Sequence, residues 1–360
     1  MKKMVMLVLV VLSAGLARMG AQTSGGAFVA RLDPALDQII SADAKLETVR
    51  SDFGNAEGPN WIQQGKSGYL VFTDIVANVI YKMTPDGTAF VLVDHAGYTG
   101  LDPWNVGGDR TNGWDPKDPR YRFYFQFGAD GLTLDKEGRI IVAGLYGRTV
   151  YRLEKNGKRT VLAETYEGKR FAGPNDLVVK RDGSIYFSET GFTRTTAFGV
   201  AGRGHDPNEP LPPKGIYRIK DGKVTLVVSD NPEPNGLAFS PDEKSLYVTA
   251  NNHIRRYDVQ PDGTVTNGRE LIDLTVDKAP GVTDGMRVDS KGNIYSTGPR
   301  GVWIISPEGK HLGTILVPSE TPWFTAVNLC FADADYKTLY ITGRAYVYRT
   351  RVNTPGNRVF

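Results

Sequence analysis

A single cysteine, Cys330, in 360 residues excludes an intramolecular disulfide, a cysteine-based zinc finger and a cysteine-ligated cluster. The four histidines are scattered without metal-ligand spacing, so each reads as a loop or packing residue. No Gly-x-Ser-x-Gly elbow and no phosphate loop is present. Helix-period patterning is scarce as well. The exception is Asp33-Pro34-Ala35-Leu36, where an Asp N-cap and Pro at the first helical position predict one short helix. Charge bias is missing once Lys2, Lys3 and Arg18 are set aside, because 40 basic residues then face 40 acidic ones. A neutral body offers no global field for holding nucleic acid. What the chain does have is 41 glycines and 21 prolines, many for a helical protein and ordinary for a turn-rich β protein.

The first 21 residues contain no acid. Lys2 and Lys3 precede Met4 to Ala17, a 14-residue uncharged run too short to span a bilayer comfortably. Small residues follow, with a cleavage site after Ala21 and an alternative at Gly15-Leu16-Ala17. This is the pattern of an export signal, residues 1–21, which predicts a periplasmic or secreted protein with no membrane attachment after cleavage. No cysteine sits there to carry a lipid. Without disulfides, such a protein is held together by its core, with or without a metal.

The rest of the chain is repetitive. Asp130-Gly131-Leu132, Asn175-Asp176-Leu177, Asn235-Gly236-Leu237, Asp284-Gly285-Met286 and Asn328-Leu329-Cys330 each begin with Asp or Asn and lead into an apolar strand. A turn follows each, and a second strand such as Ile185-Tyr186-Phe187 or Leu246-Tyr247-Val248 starts 10 or 11 residues after the anchor. Glu57-Gly58-Pro59 heads a degenerate first copy. Most copies continue through a strand, a turn such as Asp221-Gly222, and another strand, which is a hairpin signal. Six copies of four strands, at roughly 45–60 residues each, predict an all-β, six-bladed β-propeller of four antiparallel strands per blade over residues 45–352. Residues 22–44 form an extension carrying the short helix, and 353–360 form a tail. The sixth copy lacks its last strand. Leu46 to Arg50 is spare, so it is expected to pair there and close the ring, hiding two strand edges.

The first strand of a blade lines the central channel, so Glu57, Asp130, Asn175, Asn235, Asp284 and Asn328 are expected around its mouth. Their side chains all carry oxygen. Convergent carboxylate and amide oxygens suit Ca²⁺, with Mg²⁺, Mn²⁺ or Zn²⁺ as other divalent candidates. The competing reading is that Asn-Gly and Asp-Gly are turn residues chosen for backbone geometry. Glu57 fits that reading poorly, since Glu is a weak turn former.

Glu57-Gly58-Pro59, Gly173-Pro174-Asn175-Asp176, Pro234-Asn235-Gly236-Leu237 with Ser240-Pro241-Asp242, and Asp284-Gly285-Met286 resemble the senescence marker protein/gluconolactonase/luciferin-regenerating enzyme family. The resemblance spans about residues 45–350. It implies a six-bladed, calcium-type hydrolase, in many members a sugar lactonase, with Glu57, Asn235 and Asp284 as metal ligands. Asn175 would be a fourth ligand or a contact to substrate and water. Related propellers often place His where Asp130 stands, which leaves the general base open between Asp284 and Asp130. A carboxylate on a cation is a weak base, so Asp130 or a hydroxide on the ion is chemically easier. The Arg that contacts substrate in some members has no assignable equivalent.

Two long links are expected on the same face as the anchors. Residues 94–128 hold His95, Trp104, Asp109, Arg110 and Trp114, and 190–214 hold Arg194, Arg203 and His205. Links this long commonly act as lids. Trp104, Trp114, Arg203 and His205 are therefore candidate substrate contacts. The sequence as a whole predicts a monomeric, metal-dependent lactone hydrolase acting on a small lactone or ester. An aryl-ester or organophosphate hydrolase and a non-catalytic binding propeller are the alternatives.

Overall fold

A computed structural model describes residues 28–191, 193, 208–318, 321 and 323–360. The export signal, Arg194, Arg203 and His205 lie outside the described residues. The fold is all-β and propeller-like. Among the described residues, the named helices are the short 3-10 segments Pro34–Gln38 and Pro103–Asn105. The first is the predicted one: Asp33 is its N-cap and accepts from the Ala35 amide at 2.8 Å. No helix among the described residues is long and apolar enough to cross a membrane.

The strands are short and antiparallel, with neighbours in sequence paired in space. Leu132–Leu134 to Arg159–Ala163, Pro174–Val179 to Lys223–Val228 and Leu237–Phe239 to Val265–Asp273 each make a four-stranded sheet in simple meander order. The fifth repeat, Met286–Val288 to His311–Leu316, gains a fifth strand at its outer edge from Val29–Arg31. Six separate four-stranded sheets are not what the hydrogen bonding gives. The sixth and first repeats share one six-stranded sheet, so among the described residues the large sheets number five.

That fusion has a local cause. Glu47–Gln64 is a single strand of 18 residues that changes partner midway. Its first part, residues 47–51, pairs with 346–349 of the last repeat. Its second part, residues 57–64, pairs with Ser67–Asp74. Thr338–Arg351 behaves alike, pairing first with Asn328–Ala332 and then with residues 47–51. The partner switch coincides with left-handed backbone at Arg344, φ 54°. The spare segment thus pairs where it was expected. Because both strands run on unbroken through their change of partner, two repeats become one sheet.

Aromatic side chains bind neighbouring repeats. The recurrent second-strand tyrosines Tyr186, Tyr247, Tyr295 and Tyr340 are all buried. Three of them meet an aromatic ring of the next repeat: Tyr186 on Phe239 at 5.0 Å, Tyr295 on Phe331 at 5.1 Å and Tyr340 on Trp61 at 6.1 Å. Such pairs add to plain area burial. Cys330 is buried in the cluster with Trp61 and Tyr340, as an apolar residue would be.

The join between the chain's two ends is pinned by Arg349. It donates to both carboxylate oxygens of Glu47, at 2.7 and 2.9 Å, and to the Pro85 carbonyl at 2.6 Å. Arg349→Ala is expected to lower unfolding free energy by about 1 kcal/mol, the upper end for a partly exposed pair with two-point geometry. Urea unfolding of the variant checks this, and an unchanged midpoint would show the join is held elsewhere.

Candidate active site

The anchors converge because the inner strands touch. The amide of Gly131 donates to the Asn175 carbonyl at 2.7 Å, Gly236 to the Asp284 carbonyl at 3.1 Å, and Gly285 to the Val327 carbonyl at 2.8 Å. Hydroxyls repeat the stitch: Thr73 donates to the Asp130 carbonyl at 2.7 Å and Thr249 to the Asp284 carbonyl at 2.9 Å. The approach is so close that a Cβ on Gly236 would lie 2.1 Å from the Asp284 carbonyl oxygen. These glycines follow the anchors to let adjacent strands meet. The turn reading of Asp-Gly and Asn-Gly fails here, since Asp130, Asn235 and Asp284 lead into inner strands.

A cavity of about 340 Å³ opens at this ring, lined by Glu57, Asp130, Asn175, Asn235 and Asp284 together. Asn328, the sixth anchor, sits beside it and donates to Glu57 Oε2 at 3.1 Å. The Gly58 amide donates to the same oxygen at 2.9 Å. Asn175 Nδ2 donates to Asp130 Oδ2 at 2.7 Å, so the Asn175 Oδ1 is the atom it can offer to an ion or substrate. The Asn235 Oδ1 is buried without a hydrogen-bond donor among the described residues.

Charge is concentrated. Glu57 and Asp130 are buried, and Asp284 is half-buried beside them. Burial, followed by the neighbouring carboxylates Asp284 and Asp130, holds Glu57 well above the ordinary Glu range. Burial, then Asp284 and Asp176, does the same for Asp130. Burial, then Asp176, pushes Asp284 up to about 7. Asp176 occupies the position that is glycine in four of the other repeats. It adds a fourth acid, itself buried, deeper in the channel, with Arg287 Nη1 3.9 Å from its Oδ2.

These residues fit a hard divalent cation by their chemistry: two carboxylates at Glu57 and Asp284, plus amide oxygens at Asn235 and Asn175. The buried, undonated Asn235 oxygen is the specific mark of that fit. Among the described residues no three acidic, His or Cys side chains are grouped to hold an ion by themselves, so the amides would be needed.

The long links contribute differently from expectation. Residues 94–128 contain a hairpin, Gly108–Thr111 with Phe123–Gln126, that brings Arg110 into the cavity wall. Trp104 is 59% exposed and packs on Phe125 at 4.5 Å. Trp114 holds the Arg120 guanidinium 3.4 Å over its ring. Neither tryptophan lines the anchor cavity: Trp104 sits on the short helix Pro103–Asn105, and Trp114 lies in the turn of the hairpin. Of the second link, Thr190 lines the cavity, and Lys214 pairs at 3.2 Å with Glu233, another lining residue. Arg203 and His205 are outside the described residues.

Arg344 is one of the lining residues that sequence reasoning missed. It is buried, lines the cavity and has its basicity lowered to about 9 by burial and by Arg110 nearby. The signal was available: in sequence it follows the second-strand pattern Leu339-Tyr340-Ile341 of the last repeat, and second strands are expected to end on the anchor face.

Residues 55–345 match the family model described as the SMP-30/Gluconolactonase/LRE-like region. A gluconolactonase of Zymomonas mobilis is 29% identical over 338 residues, 91% of this chain and 87% of that protein. A pentonolactonase of Haloferax volcanii is 27% identical over 220 residues, 59% of this chain and 66% of that one. A solved gluconolactonase structure from Xanthomonas campestris superposes with a TM-score of 0.71 at 27% identity, covering 92% of this chain and 97% of that chain.

The raised Asp284 value makes a prediction for chelator-treated protein. The folded state keeps its proton to about 7, against 3.8 as the ordinary value. A folded-state value above the unfolded one means stability is lost as pH rises between the two. Asp284→Asn escapes that loss. Its stability relative to wild type should therefore grow steadily from about pH 4 to about pH 7. Urea unfolding across this window checks it, and a difference flat in pH contradicts it.

Proposed function

The chain belongs to the SMP-30/Gluconolactonase/LRE-like family, and from that premise we propose that it is a metal-dependent hydrolase of sugar lactones, built as a six-bladed propeller. The observation that carries the reading is the convergence of Glu57, Asn235, Asp284 and Asn175 on one buried cavity. The similarity to proteins named gluconolactonase and pentonolactonase supports the substrate class. For the architecture, the support is that residues 47–51 complete the last repeat while 57–64 begin the first. Counted by repeat, the shared sheet is then two blades.

Glu57, Asn235 and Asp284, with the Asn175 oxygen, would hold the ion. A bound divalent cation, Ca²⁺ on the oxygen-only donor set, supplies positive charge for the lactone carbonyl oxygen as it gains negative charge. Asp130 is left outside that set as the base. Asn175 fixes one of its oxygens at 2.7 Å, and its second oxygen has no donor among the described residues. That oxygen can take a proton from water as the water oxygen bonds to the carbonyl carbon. Burial is the largest cause that raises Asp130, and it would persist with an ion on Asp284, favouring Asp130 as the base. When the ring C–O bond breaks, the same proton passes to the departing ring oxygen, giving the open hydroxy acid. Asn175 acts as a positioning residue for Asp130. Arg110 in the wall offsets part of the acid charge and holds Asp130 below the value that burial and its acidic neighbours would otherwise give.

Gluconolactone hydrolysis, followed by acid release against the spontaneous rate, tests the proposal. Turnover is expected, with loss of about 100-fold or more on chelation, the scale of removing a stabilising charge from the oxyanion. Added Ca²⁺ should restore it. A protein that turns over no lactone with the ion present refutes the reading, and turnover untouched by chelation refutes the metal.

A further inference from the structure

The anchor cavity is not lined by acids alone. Arg110 and Arg344, each 7% exposed, also form its wall. Both guanidinium groups lie on the Phe324 ring, at 5.3 and 4.8 Å from its centroid. Tyr124 flanks Arg344 at 5.7 Å. Aromatic faces fix the plane of a guanidinium and leave its edge for an anion. Arg344 Nη1 is buried with no hydrogen-bond acceptor among the described residues, which is costly for a cation.

A second cavity of about 450 Å³ adjoins the first, with Phe324 and Arg344 lining both. It adds Arg120, Arg122, Trp114 and Tyr124, and no Asp or Glu is among its described lining residues. Arg120 is already paired with Asp118 at 2.8 Å, so Arg344 and Arg122 supply the charge that favours an anion over a neutral sugar hydroxyl in this aromatic-lined space. A plain sugar lactone has no charge to offer Arg344, and the carboxylates nearby are assigned to the cation.

We propose that the lactone carries an anionic substituent, a carboxylate or a phosphate, which docks on Arg344 where the two cavities meet. This rests on the lactonase reading above. Both anions present paired oxygens to a guanidinium edge. Trp114 and Tyr124 would then wall the substituent, a place for Trp114 beyond the reacting centre.

The test compares kcat/KM for gluconolactone, glucarolactone and phosphogluconolactone. Wild type should favour one of the charged lactones over gluconolactone by about tenfold or more, the scale of a hydrogen bond to a charged group. Which of the two is favoured identifies the anion. In Arg344→Gln that ratio should fall to near one, and Arg344→Lys should keep part of it. A wild-type ratio of one or less overturns the proposal. So does an Arg344→Gln variant that lowers all three substrates alike, which would make Arg344 a counter-charge for the acids. If no lactone is turned over, the lactonase reading fails and binding decides the anion site. Calorimetry with glucuronate against glucose should then show glucuronate bound about tenfold tighter, through Arg344. Equal or absent binding overturns it.

Discussion

Everything at the channel mouth depends on how closely the inner strands approach. A glycine amide on one strand donates to the carbonyl of the next anchor or of the residue before it, and no side chain fits between them. That contact sets the radius of the ring. It also points consecutive anchor side chains at one volume, so residues 57, 130, 175, 235 and 284, far apart in sequence, line a single cavity. The glycine is therefore part of the site although it bears no chemistry. Where the pattern breaks, at Asp176, the channel acquires an additional acid rather than a wider gap.

The cost of that convergence is electrostatic. Three carboxylates at the mouth and a fourth below raise one another, on top of their burial. Arg110 offsets them in part, at the expense of its own desolvation. A divalent cation among Glu57, Asn235 and Asp284 would relieve the same strain more directly, which is the physical case for the proposed ion. It also separates the roles of the acids. Two would be taken by the cation, and Asp130, which accepts from Asn175, would be left to move a proton.

Much of this was legible in the chain itself. The repeats marked the anchor positions because each blade reuses one local pattern: oxygen-bearing residue, close contact, apolar strand. The closure by Leu46 to Arg50 followed from counting strands, and the observed pairing joins residues 47–51 to 346–349. The joining of the first and last repeats into one sheet was not legible, since it depends on two strands running on through a change of partner. Arg344 and Arg110 were hidden for another reason. Arg110 lies on a hairpin inside the long link and Arg344 where the strand Thr338–Arg351 changes partner, and neither position recurs from repeat to repeat. Tryptophans drew attention by size, yet Trp104 packs on Phe125 and Trp114 under Arg120, and the cavity wall went to the arginines.

The account stands or falls on a cation at the anchor ring. Equilibrium dialysis of chelator-stripped protein against Ca²⁺, with bound metal counted by mass spectrometry, measures it without reference to any substrate. The account predicts roughly one ion per chain for the wild type and a large loss of affinity in Glu57→Gln, which removes one ligand charge at nearly constant size. Wild-type protein that retains no ion, or a Glu57→Gln variant that binds as tightly as wild type, would contradict it.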